Sequence, residues 1–223
     1  KMTAYHEAGH AIVSVNETAS DPIHKATIIP RGRALGMVMR LPERDSYSYH
    51  RDKMHANLAV SMGGRVAEEL IFGYEKVSSG ASGDIQYATH LARDMVTQWG
   101  MSDVLGPMVY GEEEGEVFLG RSVTTHKNMS EATMQKVDAE VRRIIDEQYK
   151  LARNLIEEHS DKMHAMAKAL LEWETIDAEQ LDDIMAGKEP RAPKDWTPRV
   201  PPSGSGGNGG APSVKPDPAP TVA

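Results

Sequence analysis

The segment Thr3-Ala-Tyr-His-Glu-Ala-Gly-His-Ala-Ile-Val-Ser-Val15 lies at the start of the 223-residue chain and has the apolar period of an amphipathic helix. One stripe of this helix is predicted to face a core, with positions i, i+3, i+4 and i+7 occupied by Ala8, Ala11, Ile12 and Val15. His6 and His10 fall on a different stripe, about one helical turn apart. Because residues four apart on a helix share a face, both imidazoles can point at a single cation.

Glu7 follows the first of these histidines and completes the pattern His-Glu-x-x-His. On a helix it is rotated by about 100 degrees from His6, so its carboxylate can face a water molecule at the open position of a zinc ion. Zinc lowers the pKa of that water from about 15.7 to about 7, and a carboxylate can then take its proton while the water attacks a peptide carbonyl. We therefore interpret Glu7 as a general base, and His6 and His10 as two ligands of one zinc ion.

A catalytic zinc ion usually has three protein ligands, so a third ligand is expected elsewhere in the chain. The extended pattern with a third histidine fails, because Val13 and Asn16 occupy the positions where its glycine and histidine would stand. Glu68 and Glu69 on a predicted helix are candidates, and so is Asp84, which follows a flexible loop and opens another helix. Each also has an ordinary alternative role as an exposed helix residue or a first-turn acid. Spacing alone leaves this choice open.

Composition and charge exclude several classes of protein. The formal net charge is -8 and the pI is near 5.6, and the one dense charge run, residues 112–116, is acidic. The sequence therefore shows no basic run that would bind the phosphate backbone of a nucleic acid, and nucleic acid is not an expected partner. The chain has no cysteine, which excludes disulfides, thiolate zinc sites and cysteine-protease chemistry. No stretch reaches the roughly 18 to 20 apolar residues of a membrane span, so we expect this piece to be soluble.

The remaining pattern predicts a mainly α fold with a small β-hairpin. Two extended runs, residues 25–30 and 35–41, are joined by a turn-prone segment. A helical pattern over residues 46–72 contains Gly63-Gly64, which we expect to end or kink one helix before another begins. The next helix has a predicted apolar face of Ile85, Ala88, Ala92, Met95 and Trp99.

The last third of the chain contains three more predicted helices and a tail. Ser130 is a plausible N-cap for a helix ending near residue 158, and a second helix covers residues 163–173. Asp177 and Gln180 resemble a capping box, and Gly187 is expected to terminate that last helix. Residues 201–223 contain six Pro and five Gly. We therefore predict a peptidase domain over residues 1–190 and a disordered tail over residues 191–223.

Several segments together resemble the peptidase domain of the FtsH family of membrane-anchored AAA+ zinc metalloproteases. The resemblance covers His-Glu-Ala-Gly-His and Gly-Ala-Ser-Gly-Asp together with their surroundings, in residues 4–11, 24–36, 63–69, 79–84 and 112–121. In that family the aspartate that ends the second motif is the third zinc ligand, which the resemblance carries onto Asp84. Glu68 and Glu69 then take supporting roles. The resemblance also implies a mostly helical domain that assembles into a hexameric ring and holds one zinc ion per chain.

The same resemblance implies the setting of the activity. An attached ATPase ring would thread unfolded, misfolded or membrane-extracted polypeptides into the chamber that the hexameric ring of peptidase domains encloses. The whole assembly would lie at the cytoplasmic face of the bacterial inner membrane. ATP and the membrane would act only through N-terminal parts that this sequence, beginning at Lys1, lacks, since it has no phosphate-binding loop. We also expect residues 35–41 to be an edge strand that aligns substrate backbone. The alternatives are a non-catalytic ring-assembly module stabilised by zinc, and a zinc aminopeptidase or other hydrolase.

Overall fold

The computed structural model describes residues 1–32, 35–42, 48–110 and 129–193 of the chain. These residues form a mainly α structure with one small antiparallel sheet. The helices are α1 (Met2–Asn16), α2 (Arg51–Phe72), α3 (Ser82–Thr97), α4 (Glu131–Glu158), α5 (Ser160–Trp173) and α6 (Ala178–Met185). The strands are β1 (Ile23–Thr27), β2 (Met37–Arg40) and β3 (Thr175–Asp177), and two 3-10 turns cover Tyr74–Lys76 and Ser79–Ala81.

The sheet has the order β2-β1-β3, with both pairs antiparallel. The predicted hairpin of β1 and β2 is confirmed, and Ala26 pairs with Val38 across it. Ala26 also pairs with Ile176 of β3, a strand that sequence analysis missed. Three residues directly after a helix are too few to show the alternating pattern of a strand. Because β2 is at the edge of this sheet, no strand from the described residues lies along one side of its backbone.

Helix α1 is the centre of the domain, because α2, α4, α5 and β1 all pack against it. Ten of its fifteen residues are buried, including the predicted core residues Ala8, Ala11 and Ile12. The prediction was wrong for Val15, whose exposed fraction is 41%. Val15 lies in the last turn of the helix, beyond the part that neighbouring helices cover. His6 and His10 are buried as well, so their stripe faces another part of the protein and not solvent.

The prediction that Gly63-Gly64 interrupts a helix was wrong, because α2 runs unbroken through both residues. Two adjacent glycines cost a helix roughly 2 kcal/mol in propensity relative to alanine. Here they permit a close crossing with α1. A Cβ atom at Gly63 would lie 2.9 Å from the carbonyl carbon of Gly9, and one at Gly9 would lie 2.6 Å from Cβ of Ala67. The packing gained by bringing α1 and α2 together offsets the propensity cost.

The other helices largely follow their predicted patterns. On α3, Ala88, Ala92 and Met95 are buried, whereas Ile85 and Trp99 are 40% and 47% exposed. Trp99 lies beyond the end of α3 at Thr97, where the helical period no longer applies.

The predicted helix caps are confirmed. The Ser130 hydroxyl accepts a hydrogen bond from the Thr133 amide at the start of α4. Asp177 and Gln180 form the full capping box of α6, and Gly187 follows that helix with a φ of 73°. These caps satisfy backbone groups that a helix end leaves unpaired.

Two predicted segments lie outside the described residues, namely the acidic run at residues 112–116 and residues 194–223 of the predicted tail. Arg191, just before that part of the tail, forms ion pairs with Asp183 and Glu179 of α6. None of the helices in the described part of the chain is long and apolar enough to cross a bilayer.

Candidate metal centre

Helix α1 brings two imidazoles together in a cleft. The Nε2 atoms of His6 and His10 are 3.1 Å apart, and the two rings meet edge to face with centroids 4.7 Å apart. Both residues are buried, with exposed fractions of 9% for His6 and 8% for His10. The one-turn spacing predicted from the sequence therefore lets both Nε2 atoms face the same point in the cleft.

The opposite ring nitrogens of these histidines are held by hydrogen-bond acceptors. His6 Nδ1 lies 2.9 Å from Glu68 Oε1, and His10 Nδ1 lies 2.7 Å from the carbonyl oxygen of Val60. A carbonyl oxygen can only accept, so Nδ1 of His10 carries the hydrogen and its Nε2 atom has a free lone pair. Hydrogen bonding to the Glu68 carboxylate favours the same tautomer for His6. Both lone pairs then point into the cleft.

Asp84, in the first turn of α3, completes a group of three possible ligands. Its Oδ2 atom lies 3.3 Å from Nε2 of His6 and 3.6 Å from Nε2 of His10. Ligands of a tetrahedral zinc ion with bonds of about 2.0 Å are separated by roughly 3.3 Å. Two lone pairs and a carboxylate also repel one another unless a cation lies between them. The spacing and the chemistry of these donors therefore fit a zinc ion.

The charges of the site shift the pKa values of its groups. Burial alone would raise the pKa of Asp84, but the adjacent His10 and His6 side chains outweigh it, because either ring in its protonated form favours the ionised carboxylate, and they hold that pKa far below its usual range. Burial alone would lower the pKa of His6, yet the neighbouring carboxylates, first Asp84, outweigh it and raise the pKa. Asp84 is therefore ionised at any physiological pH, as a metal ligand must be.

Glu7 lines the same cleft as the three possible ligands. Its side chain is buried, with 5% exposure, and β2 closes over it. A Cβ atom on Gly36 would lie 2.8 Å from Cδ of Glu7, so only glycine lets the start of β2 approach this carboxylate. Burial raises the pKa of Glu7, and the charges of His10 and His6 partly oppose the increase. The carboxylate is thus confined beside the site and is a stronger base than an exposed one.

The alternative ligands Glu68 and Glu69 lie in different places. Glu68 contacts the Nδ1 side of His6, away from the Nε2 pair, and it also accepts hydrogen bonds from the amide and hydroxyl of Ser78. Glu69 pairs with Arg65 and accepts a hydrogen bond from Tyr149, whose pKa is raised to about 12 by burial and by that carboxylate. The structure therefore brings Asp84, and neither glutamate, to the Nε2 side.

Sequence analysis missed several groups that support this site, including the Val60 carbonyl, which no side-chain motif can reveal. It also missed the role of Gly64. A Cβ atom there would lie 2.6 Å from Nε2 of both His10 and His6. A glycine within a helical pattern, with no turn to require it, is the sequence signal that could have indicated this close contact. Gly64 is needed because the two imidazoles pack directly on the backbone of α2.

Replacement of Gly64 by alanine is expected to lower zinc affinity at least about tenfold. Alanine favours a helix by about 1 kcal/mol, but its methyl group would push the imidazoles apart. Zinc titration followed by tryptophan fluorescence or a chelator assay measures the effect. Gly83→Ala in α3 is the matched control, because a Cβ atom there meets nothing within 4 Å. An equal loss of affinity in both variants would contradict this explanation.

Fold and site together define a mainly helical protein with a His-His-Asp cluster that could hold a metal ion and an adjacent glutamate, groups of the kind found in metal-dependent hydrolases. Residues 1–184 match the family model for peptidase family M41. The chain belongs to that peptidase family.

Three relatives, each named ATP-dependent zinc metalloprotease FtsH, show the extent of the similarity. The protein of Photobacterium profundum is 55% identical over 88% of this chain and 28% of its own length. That of Caulobacter vibrioides is 54% identical over 86% of this chain and 30% of its own length. That of Cupriavidus metallidurans is 53% identical over 100% of this chain and 33% of its own length. The chain thus spans about a third of the length of these curated relatives.

Proposed function

We propose that this chain is the zinc metalloendopeptidase domain of an ATP-dependent protease, with His6, His10 and Asp84 as zinc ligands and Glu7 as the general base. One observation carries the proposal: the three donor groups lie within 4.8 Å of one another in a cleft that Glu7 also lines. Membership of a peptidase family and relatives named zinc metalloproteases support the same reading. A bound zinc ion would supply Lewis-acid chemistry, acidifying water and polarising a peptide carbonyl.

The protein groups have separate tasks in this reaction. Glu7 accepts a proton from the attacking water and can pass it to the leaving amine, and its raised pKa suits both transfers. Glu68 and the Val60 carbonyl hold the two imidazoles in the orientation and tautomer that leave Nε2 unprotonated. Asp84 adds a negative charge to the set of donors. The cleft itself, with a volume of about 1030 Å³, has room for several residues of an extended peptide.

We further propose that the substrate binds as an added strand along β2. This strand lies at the edge of the sheet, lines the cleft and starts beside Glu7 at Gly36. Backbone hydrogen bonds to an edge strand position a peptide with little dependence on its sequence. Such binding suits an enzyme that cleaves many unfolded proteins.

Val38→Pro is expected to lower peptide cleavage by at least about tenfold while zinc content stays normal. Proline removes a backbone N–H and restricts φ in the middle of β2, so the strand can no longer pair regularly. For each variant, kcat/KM on a fluorogenic peptide and the zinc content are measured and compared with the wild-type values. Val38→Ala is the matched control, since it loses the side chain but keeps the backbone donor. Unchanged cleavage by the proline variant would contradict binding along β2.

For the whole protein, we propose an assembly in which an ATPase part outside this chain delivers unfolded, misfolded and membrane proteins to a hexameric ring of these domains. The names and lengths of the relatives support it, since they are called ATP-dependent and are about three times as long. A membrane anchor at the cytoplasmic face of a bacterial inner membrane is part of the same proposal. The net charge of -8 gives no support for nucleic acid as a partner.

The alternative of a non-catalytic ring module is not favoured, because a purely structural metal has no use for a buried carboxylate beside it. The test is product analysis after incubating the zinc-loaded chain with casein and with a blocked decapeptide. Internal cleavage of both is expected, and it should stop when a chelator removes the metal. Release of single residues from free N-termini alone would instead indicate an aminopeptidase.

A further inference from the structure

Arg40 is a cationic side chain in the cleft that the proposed reaction does not use. It is the last residue of β2 and lines the cleft together with Val38, Val60 and Ser61. Its Nη1 atom donates to Asn57 Oδ1 at 2.8 Å and to Ser20 Oγ at 3.3 Å. These two contacts hold one arm of the guanidinium against α2. They involve only neutral groups, so they fix the position of the charge without neutralising it.

No carboxylate among the described residues forms an ion pair with Arg40. Asp21, whose negative charge acts on Arg40, has its carboxylate engaged by Lys53 at 2.6 Å. Burial lowers the pKa of Arg40, and the nearby Tyr87 phenol and Asp21 carboxylate only partly oppose that change. A guanidinium remains charged throughout the physiological range in spite of this shift. Arg40 is therefore a half-buried cation that has lost part of its hydration and forms no ion pair with any carboxylate in the described part of the chain.

The orientation of β2 brings Arg40 within reach of a bound peptide. In the pairing with β1, Val38 lies opposite buried Ala26 and Arg40 lies opposite Ile23, so both side chains are on the inner face of the sheet. Arg40 is four residues beyond Gly36, which is at most roughly 13 Å along an extended strand. A peptide paired with the outer edge of β2 would place alternate side chains on the same face as Arg40, within about four residues of the cleaved bond.

We propose that Arg40 is a specificity-determining residue that binds a carboxylate of the substrate peptide, so that the enzyme prefers peptides with an acidic group at one position near the cleaved bond. This inference rests on the proposed peptidase function. The carboxylate belongs either to a glutamate or aspartate side chain or to the C-terminus of a short substrate. A planar guanidinium can bind either one by charge-assisted hydrogen bonds.

The test uses the zinc-loaded full chain and a neutral fluorogenic peptide with a defined cleavage site. Glutamate is compared with glutamine at each of the four positions on either side of the cleaved bond, and a C-terminal acid is compared with the amide. At one position the acidic group is expected to raise kcat/KM about fivefold to tenfold. A side-chain effect identifies an acidic residue as the ligand, and an effect confined to the terminal acid identifies the C-terminus. Equal rates for every matched pair would overturn the proposal.

Variants then assign the preference to Arg40. Arg40→Met should bring the ratio of acidic to neutral peptide to about one, and Arg40→Glu should favour a lysine peptide over the glutamine peptide. Arg93→Met is the matched control, because that arginine pairs with Asp138 on an exposed surface. If Arg40 only ties β2 to α2, its loss lowers both rates equally and leaves the ratio unchanged, which would contradict a specificity role.

Binding measurements separate this proposal from the proposed activity. Fluorescence anisotropy of labelled acidic and neutral peptides with the Glu7→Gln variant gives a ratio of Kd values without any cleavage. A wild-type chain that cleaves nothing would contradict the peptidase function, but the Kd ratio would still test Arg40. Equal Kd values for the two peptides would overturn the role of Arg40 alone.

Discussion

Glu7→Gln is expected to lower kcat for casein and peptide hydrolysis by about 10³-fold while the chain keeps its zinc. A glutamine has the size and shape of the glutamate but cannot accept a proton, and a general base contributes about 10² to 10⁴ in rate. The tight contact between Glu7 and Gly36 makes the isosteric change appropriate, because a shorter side chain would leave a gap under β2. Rates are measured together with zinc content and melting temperature.

The matched control is Glu172→Gln on the exposed surface of α5, which should retain the full rate. Comparable hydrolysis by Glu7→Gln and the wild type would show that the assigned role is wrong. Loss of zinc from Glu7→Gln would instead identify Glu7 as a ligand. The three readings therefore give three different combinations of rate and zinc content.

Asp84→Ala is expected to lower zinc affinity by at least about 10³-fold, more than any other single acidic change near the cleft. It removes the one negatively charged donor from the three-residue set. Glu68→Ala should have a smaller effect, about 10 to 100-fold, because Glu68 orients His6 through Nδ1 and does not face the Nε2 pair. Competition with a chelator of known zinc affinity gives both numbers.

Asp94→Asn, in the same helix as Asp84, is the control for a general effect of charge on α3. Its zinc affinity should match that of the wild type. A larger loss in Glu68→Ala than in Asp84→Ala would reverse the assignment and support the glutamate as third ligand. Circular dichroism of each zinc-free variant shows whether a loss of affinity comes from a loss of helix.

Short-range patterns predicted the local structure well. The helical period of α1 and the capping residues Ser130 and Asp177 depend on neighbours within a few residues, and the hairpin of β1 with β2 joins strands that are next to each other in the chain. Such features follow from propensity and hydrogen bonding along one segment. They were therefore visible before any tertiary contact was known.

The errors came from contacts between segments distant in sequence. Gly63-Gly64 has the pattern of a helix break, yet both residues are helical because α1 approaches α2 too closely for a side chain. The short strand β3 exists because β1 offers it a free edge. Val15 has the right period for the core but lies where no neighbour covers the helix. In each case the outcome depended on which distant segment packs against the residues, and the local pattern does not contain that information.

For the candidate metal site too, some features follow from local sequence and others only from tertiary packing. The sequence by itself determined that His6 and His10 share a face and that Glu7 lies beside them, because one turn of a helix has a known geometry. Spacing could not choose between Glu68 and Asp84 as the third donor, and only resemblance to a family favoured Asp84. The tertiary structure places Glu68 at Nδ1 and Asp84 at Nε2 of the same imidazole. The reason is that the packing of α1 and of α3 against α2, and not the order of residues, determines which carboxylate meets which nitrogen.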